Sequence, residues 1–164
     1  MRLILALAAA AMFVVPSAMA ADTYSDPKAL VTAIYDHYRP GQLADDPTLY
    51  YSTRLKTIFD QSVENEVFAS DAAMTGAEFT PDAVFNPFLP DVSALLFDVV
   101  IGEPVIIDDR AVINVSYHNF DQPRLLSIAM VREDGNWKVD DVASLGSEDH
   151  WLLSWALTYD PLGF

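Results

Sequence analysis

Apolar residues recur with a helical period in the chain segment that follows residue 26. Asp26-Pro27 has the residues of a helix start, because aspartate caps free backbone N–H groups and proline suits the first helical turn. Apolar positions three or four residues apart then predict one face of an amphipathic helix, formed by Leu30, Val31, Ile34, Tyr35 and Tyr38. Pro40-Gly41 is predicted to end this helix.

A second amphipathic helix is predicted to begin at Ser52 or Thr53, after a short turn at Asp46-Pro47. One face is expected to carry Leu55, Ile58, Phe59 and Ser62-Val63, and the pattern fades near Phe68. Residues 86–91 (NPFLPD) contain two prolines and cannot form a regular helix or a central strand. We expect a loop there, and a long loop in a compact domain often covers a pocket.

After residue 94 the apolar period changes to two, which predicts strands. Residues 97–107 are predicted to form a strand bent at residues 102–104, and the next strands are expected over residues 110–118, 124–132 and 136–143. Asp134-Gly135 is a strong hairpin signal. Ser147 is predicted to cap a last helix that carries Trp151, Leu152, Leu153, Trp155, Ala156 and Tyr159. This order predicts an α+β fold, in which a curved antiparallel sheet of about four strands packs on N-terminal helices, with a C-terminal helix.

The N-terminus has the layout of a secretory signal peptide. Arg2 precedes 13 apolar residues, 3–15, and small residues stand at positions 18 and 20. The apolar run is too short to cross a bilayer, which takes about 20 residues. We therefore predict cleavage after Ala20, a single domain over residues 21–164, and a periplasmic or secreted location without membrane insertion.

Acidic residues dominate the charge, with 24 Asp and Glu against 9 Lys and Arg, and a net charge of −15 at pH 7. Loss of residues 1–20 would remove Arg2 and no carboxylate, which takes the charge from −15 to −16. This excess argues against nucleic-acid partners, because phosphate binding needs clustered cations. The negative charge has two interpretations. It attracts a cationic partner, or, more simply, it keeps the protein soluble.

Cofactor and metal chemistry has no recognisable motif in this chain. It contains no cysteine, which excludes thiol catalysis and zinc–thiolate sites. The three histidines are scattered, and adjacent acidic pairs such as Asp108-Asp109 lack the spacing of a calcium loop. We predict no metal site and no cofactor.

Four segments together resemble the bacterial domain-of-unknown-function family 3828. They are residues 33–38 (AIYDHY), 51–56 (YSTRLK), 86–89 (NPFL, where the family has Asp for Asn86) and 131–142 (VREDGNWKVDDV). The resemblance covers about residues 30–157. It implies the cone-shaped α+β fold of the nuclear-transport-factor-like superfamily and an exported bacterial protein. It implies no activity, because members of that superfamily include isomerases, dehydratases, binding scaffolds and immunity proteins.

Asp141 is the candidate catalytic residue. If period two continues along the last strand, Trp137, Val139 and Asp141 share one face, and Asp141 points into the cone as a general base or acid. Tyr35, Tyr38, Tyr117 and Trp137 would then complete a pocket around it. The alternative interpretation makes Asp141 a structural carboxylate, bonded to a backbone or hydroxyl group, and makes the aromatic residues core.

Three functions remain open on these residues. The leading one is a non-enzymatic periplasmic binding or interaction module, similar to an immunity or inhibitor protein or specific for a small ligand. The second is a proton-transfer or lyase enzyme that uses Asp141, and the third is a structural envelope protein.

His118 shares a polar strand face with Val112, Asn114 and Ser116, and this face is expected to meet solvent or a second copy in a homodimer.

Overall fold

A computed structural model describes residues 23–36, 38, 46–64, 86–89, 95–146 and 150–159. Its helices are α1 (Pro27–Asp36), a 3-10 helix (Pro47–Tyr50), α2 (Thr53–Glu64) and α3 (Leu153–Thr158). Its strands are β1 (Leu96–Ile101), β2 (Val105–Ile107), β3 (Arg110–Asn119), β4 (Gln122–Glu133), β5 (Asn136–Leu145) and β6 (His150–Leu152). The predicted α+β class is confirmed.

All six described strands belong to one antiparallel sheet, in which the order is β1-β3-β4-β5-β6. β4 pairs along the whole of β3, so β1 and β2 share the other edge of β3, one after the other. The bend predicted at residues 102–104 therefore separates two strands on the same edge. The sheet has six described strands where the sequence predicts about four, because the bent strand divides in two and residues 150–152 form β6 rather than part of a helix.

The two N-terminal helices begin where the sequence predicts. A carboxylate oxygen of Asp26 accepts from the Lys28 backbone N–H at 3.1 Å, beside Pro27 at the first helical position. Ser52 caps α2, since its Oγ accepts from the Leu55 N–H at 3.1 Å. Each cap satisfies a backbone donor that the helix itself cannot pair.

The core lies between these helices and one face of the sheet. β3 alternates between buried and exposed residues along its length, as period two requires. Its buried residues are Ala111, Ile113, Val115 and Tyr117. They pack with the apolar side of α1, with Leu55 of α2 and with the turn at residues 86–89. That turn is irregular, as predicted, and Asn86 closes it by accepting from the Phe88 N–H at 2.9 Å.

The C-terminal helix is shorter than predicted. Residues 150–152 form β6, because Leu145, Ser144 and Ala143 offer a free strand edge that pairs with His150, Trp151 and Leu152. The helix then begins at Leu153. Several sequence predictions lie outside the described residues: the signal peptide, the helix end at Pro40-Gly41, Pro90-Asp91 and the cap at Ser147. No described helix is both long and apolar enough to cross a bilayer.

Candidate functional site

Two of the candidate tyrosines meet in the core. The rings of Tyr35 on α1 and Tyr117 on β3 lie 6.2 Å apart between centroids, tilted by 52°. The Tyr35 hydroxyl donates to the Phe88 carbonyl oxygen at 3.2 Å. Tyr38, just after α1, is also buried. α1, β3 and the turn at residues 86–89 thus bring Tyr35 and Tyr117 into contact.

Burial controls the ionisation of these phenols. Loss of solvent raises the pKa of Tyr35 well above its ordinary value, and the neighbouring Tyr117 raises it further. Burial raises the pKa of Tyr117 to about 12, although the Arg124 guanidinium acts in the opposite direction. Both groups are therefore protonated at neutral pH, which makes them hydrogen-bond donors rather than bases.

Asp141 does not join the tyrosines. Met130 lies opposite Val139 and Ala129 lies opposite Asp141, so Asp140 is an extra residue in β5 and forms a β-bulge. The bulge changes the alternation, and Val142 is buried on the same face as Trp137 and Val139. Asp141 shares the opposite face with Ala129. The prediction that Trp137, Val139 and Asp141 share one face is therefore wrong.

Asp141 instead holds the start of α3. It accepts from the backbone N–H of Ser154 at 3.0 Å and makes a short hydrogen bond with the Ser154 hydroxyl. The N–H of Val142 donates to the same carboxylate at 3.0 Å. A carboxylate is favourable at a helix N-terminus, because the first N–H groups have no partners within the helix. This arrangement matches the structural interpretation of Asp141.

Asp140 holds the start of α2 in a similar way. Its carboxylate accepts from the Ser52 hydroxyl at 2.7 Å and from Arg54 Nε at 3.0 Å. Arg54 Nη2 also lies 3.6 Å from Asp141, so one guanidinium joins both acids. Arg110 on β3 approaches Asp140 at 3.8 Å. The bulge therefore presents two successive carboxylates that fix the first turns of two helices.

One sequence signal could have revealed the bulge. Val139 and Val142 are the two apolar residues that flank the acidic pair, and they are three positions apart. Period two would place them on opposite faces of the sheet. Since both side chains are buried in one core, one extra residue must intervene between them.

Trp137 occupies the expected core position. Its side chain is fully buried, and its backbone N–H donates to the Tyr24 carbonyl oxygen at 2.8 Å. The Arg132 guanidinium lies 4.7 Å from the ring centroid, in cation–π contact. The indole N–H is buried and has no acceptor among the described residues. The surrounding core packing gives Trp137 a structural role.

The sheet face opposite the core, which we term the open face, is unusually apolar. A sheet with one solvated face normally alternates apolar and polar residues. Here the outward positions include Val100, Val105 and Val112, whose side chains are 59%, 65% and 41% exposed. His118, Asn114 and Ser116 point outward from β3, as predicted. The face is thus a polar stripe flanked by exposed aliphatic side chains.

One end of the sheet carries what we term the acidic turns. They are the β2–β3 turn with Asp108-Asp109 and the β4–β5 turn with Asp134, and all three residues are exposed. The Arg132 N–H donates to the Asp109 carbonyl oxygen at 2.8 Å, which holds the two turns side by side. Within the described residues none of these three carboxylates forms an ion pair.

The described residues contain no group of three or more His, Asp or Glu side chains placed to hold a metal ion.

Comparison with known proteins gives one structural similarity. No protein-family model matches the chain, and no curated protein matches it. The structure is similar to a chain in the crystal structure of the type VI native effector-immunity complex Tae3–Tai3 from Ralstonia pickettii, with 19% sequence identity and a TM-score of 0.43. The similarity covers 76% of this chain and 99% of that chain. Similarity at this level does not bear on what this chain binds.

Proposed function

We propose that the chain is a non-enzymatic interaction module of the cell envelope that binds a basic protein through the acidic turns. The observation that carries the proposal is that, among the described residues, exposed carboxylates in the acidic turns are unpaired, whereas most of the cations are paired. Asp108, Asp109 and Asp134 are exposed and form no ion pair within the described residues. They lie in two adjacent turns and so present a concentrated negative charge to a partner.

Most of the described Lys and Arg side chains, in contrast, contact an acidic or aromatic side chain of the same chain. Lys28 pairs with Glu103, and Lys56 pairs with Asp60. Arg54 joins Asp140 and Asp141, Arg110 approaches Asp140, and Arg132 covers Trp137. The chain as a whole carries 24 acidic and 9 basic residues. The remaining field is strongly negative, which speeds encounter with a positively charged surface.

The geometry gives the proton-transfer alternative no support. That function requires Asp141 beside the phenols of Tyr35 and Tyr117. Asp141 lies on the other face of the sheet, and its oxygens are taken by Ser154, Val142 and Arg54.

The proposal can be tested by affinity capture from an envelope extract of the source cells, with the bound protein identified and quantified at low and high salt. A variant with Asp108, Asp109 and Asp134 changed to asparagine removes the proposed charge. It should recover several-fold less of the partner at low salt. Asparagine tolerates the positive φ angles of 53° at Asp108 and 49° at Asp134, so the turns should be retained.

A matched control changes three exposed carboxylates elsewhere to amides, at Asp60, Glu64 and Asp121. The net charge is then the same in both variants, which differ in where the negative charge is removed. The control should retain most of the binding. Wild-type binding should weaken steeply with salt, because the screening length falls from about 10 Å at 0.1 M to about 3 Å at 1 M. Equal capture by the two variants, or binding indifferent to salt, would refute the proposal.

A further inference from the structure

We infer that β2 is the docking site for an extended, basic segment of the partner protein, which adds to the sheet as a further strand. This inference rests on the proposed function and deepens it, because it states how the partner binds beside the acidic turns. β2 spans Val105–Ile107, and one of the acidic turns, with Asp108 and Asp109, follows it directly. A segment that pairs with β2 therefore also lies next to these two carboxylates.

β2 lies at an edge of the sheet. Within the described residues it pairs with β3, and no strand pairs with its other side. The Gly102 N–H, just before β2, donates to the Asn114 carbonyl oxygen of β3 at 2.9 Å. Every second residue of an antiparallel strand bonds toward the same neighbour, so Val112, opposite Val105, also bonds toward this edge. Ile106 follows Val105, and its backbone N–H and C=O therefore point away from β3.

The side chains of β2 are exposed on both faces of the sheet. Val105 and Ile107 are 65% and 70% exposed on the open face. Ile106 lies opposite Ala111 on the other face and is 48% exposed. A strand with a free edge and accessible apolar side chains can pair with an extended peptide, whose backbone gives affinity and whose alternate side chains give specificity.

The neighbouring edge strand, β1, is protected against such pairing, whereas β2 is not. The pairing register of β1 shifts between Phe97 and Val100, and Asp98, with a φ of 54°, lies in this irregular stretch. Bulges and charged residues are the usual means by which proteins prevent edge strands from pairing. The three residues of β2 are consecutive aliphatic residues in regular register with β3. The chain thus leaves this part of the edge open.

The charge around β2 favours a basic segment. Glu103 precedes the strand and its side chain is 84% exposed, although it pairs with Lys28. Asp108 and Asp109 follow the strand and form no ion pair within the described residues. Lysine or arginine side chains on an added strand would meet carboxylates at both ends of β2, and complementary charges of this kind fix partner and register.

A second copy of this chain fits the edge less well. Antiparallel pairing of two β2 strands centred on Ile106 would set Asp109 of one copy opposite Glu103 of the other, and would do so twice by symmetry. Like charges directly opposite each other destabilise a strand pair. The edge is therefore better suited to a basic segment than to its own acidic copy.

Hydrogen exchange of the backbone amides, measured by NMR, tests the inference with a defined probe. The probe is a synthetic octapeptide of alternating valine and lysine with blocked ends. The Ile106 N–H should exchange rapidly in the free protein, and bound peptide should slow its exchange about tenfold or more, because it gains an acceptor. Slow exchange in the free protein would show that the edge is already paired and would overturn the inference.

Two control peptides separate backbone pairing from charge. The same peptide with every backbone nitrogen methylated keeps its side chains but donates no backbone hydrogen bond, so it should bind about tenfold more weakly or worse. A peptide of alternating valine and glutamate should bind at least about tenfold more weakly. Equal binding of either control would overturn the inference.

A pair of variants tests the same point on the protein. Ile106→Pro removes an N–H that points away from β3, a position at which edge strands tolerate proline. It should weaken binding of the valine–lysine peptide about tenfold or more. Ile106→Val keeps the N–H and the branched apolar side chain, so affinity should stay within about twofold of wild type. Unchanged affinity in Ile106→Pro would overturn the inference, and if this variant does not fold, the methylated peptide decides with wild-type protein.

The other occupant of the edge is tested by sedimentation. A wild-type dimer that Ile106→Pro abolishes would assign the edge to a second copy and overturn the inference. A protein that remains monomeric at the concentrations used for the peptide supports it.

Affinity capture from the envelope extract separates this inference from the proposed function. Ile106→Pro and the triple amide variant of the acidic turns should both recover several-fold less of the partner. Full recovery by Ile106→Pro, with loss in the triple variant, would overturn strand docking and leave the acidic turns as the binding site. Full recovery by the triple variant would refute the proposed function, and with it the basic character of the docked segment.

Discussion

Replacement of Asp141 by alanine tests whether this residue, in the bulge of β5, stabilises the start of α3. We expect the free energy of unfolding to fall by about 2–4 kcal/mol. The carboxylate accepts two hydrogen bonds from Ser154 and lies 3.6 Å from an Arg54 nitrogen. A hydrogen bond to a charged group contributes about 1.5–3 kcal/mol net. The favourable interaction of the charge with the helix terminus adds about 0.3–1 kcal/mol.

Three features keep the expected loss below the sum of these contributions. The Asp141 side chain is 15% exposed, so water can replace part of what is lost. Arg54 retains its contact with Asp140 at 3.0 Å. Removal of one of two adjacent carboxylates also relieves their mutual repulsion. Asp141→Asn keeps an acceptor for the Ser154 N–H without the charge, so it should cost about 1 kcal/mol.

Urea unfolding, followed by tryptophan fluorescence, measures these differences. A double-mutant cycle with Ser154→Ala should show coupling between the two side chains, because the short bond joins them directly. Asp121→Ala, at an exposed turn position, is the control and should change stability by less than about 0.5 kcal/mol. If Asp141→Ala is as harmless as Asp121→Ala, then Asp141 does not anchor α3 and the bulge has another purpose.

Further predictions concern Tyr117 and two phenylalanines that lie in turns, Phe88 and Phe120. Tyr117 has its pKa raised to about 12 in the folded chain, from 10.0, so the folded state holds this proton more tightly than the unfolded chain. Its contribution to stability should be fully present below about pH 10 and lost between pH 10 and 12, at about 1.4 kcal/mol per pH unit. Urea unfolding of Tyr117→Phe should show a smaller fall in that range, and an unchanged profile would contradict the assignment. Phe88→Ala should cost about 3–5 kcal/mol, because the ring is 1% exposed and packs edge-on against Tyr50. Phe120→Gly should cost nothing or stabilise by up to about 1 kcal/mol, because Phe120 is exposed and has a φ of 55° that glycine adopts freely. Thermal unfolding measures both variants, and similar losses of stability in Phe88→Ala and Phe120→Gly would contradict this contrast.

Local signals in the sequence determined where the main elements begin and turn. Asp26-Pro27 and Ser52 cap α1 and α2, since a cap needs only a side chain and the N–H groups two or three residues later. Asp134-Gly135 forms the predicted hairpin with φ angles of 49° and 80°, which aspartate tolerates and glycine adopts freely. The alternation in β3 placed Tyr117 in the core and His118 outside. All of these features depend on neighbours close in the chain.

The tertiary structure decided the role of Asp141 and the character of the open face. Whether one residue is inserted at Asp140 depends on how β5 aligns with β4, and a shift of one residue turns every later side chain to the other face. The same pairing decides that Val105, Val112 and Ala129 stand side by side, although they come from three strands. Single strands show each of these residues as an ordinary outward-facing position. Only their alignment across the sheet makes an apolar row, because contact between strands depends on register rather than on sequence neighbours.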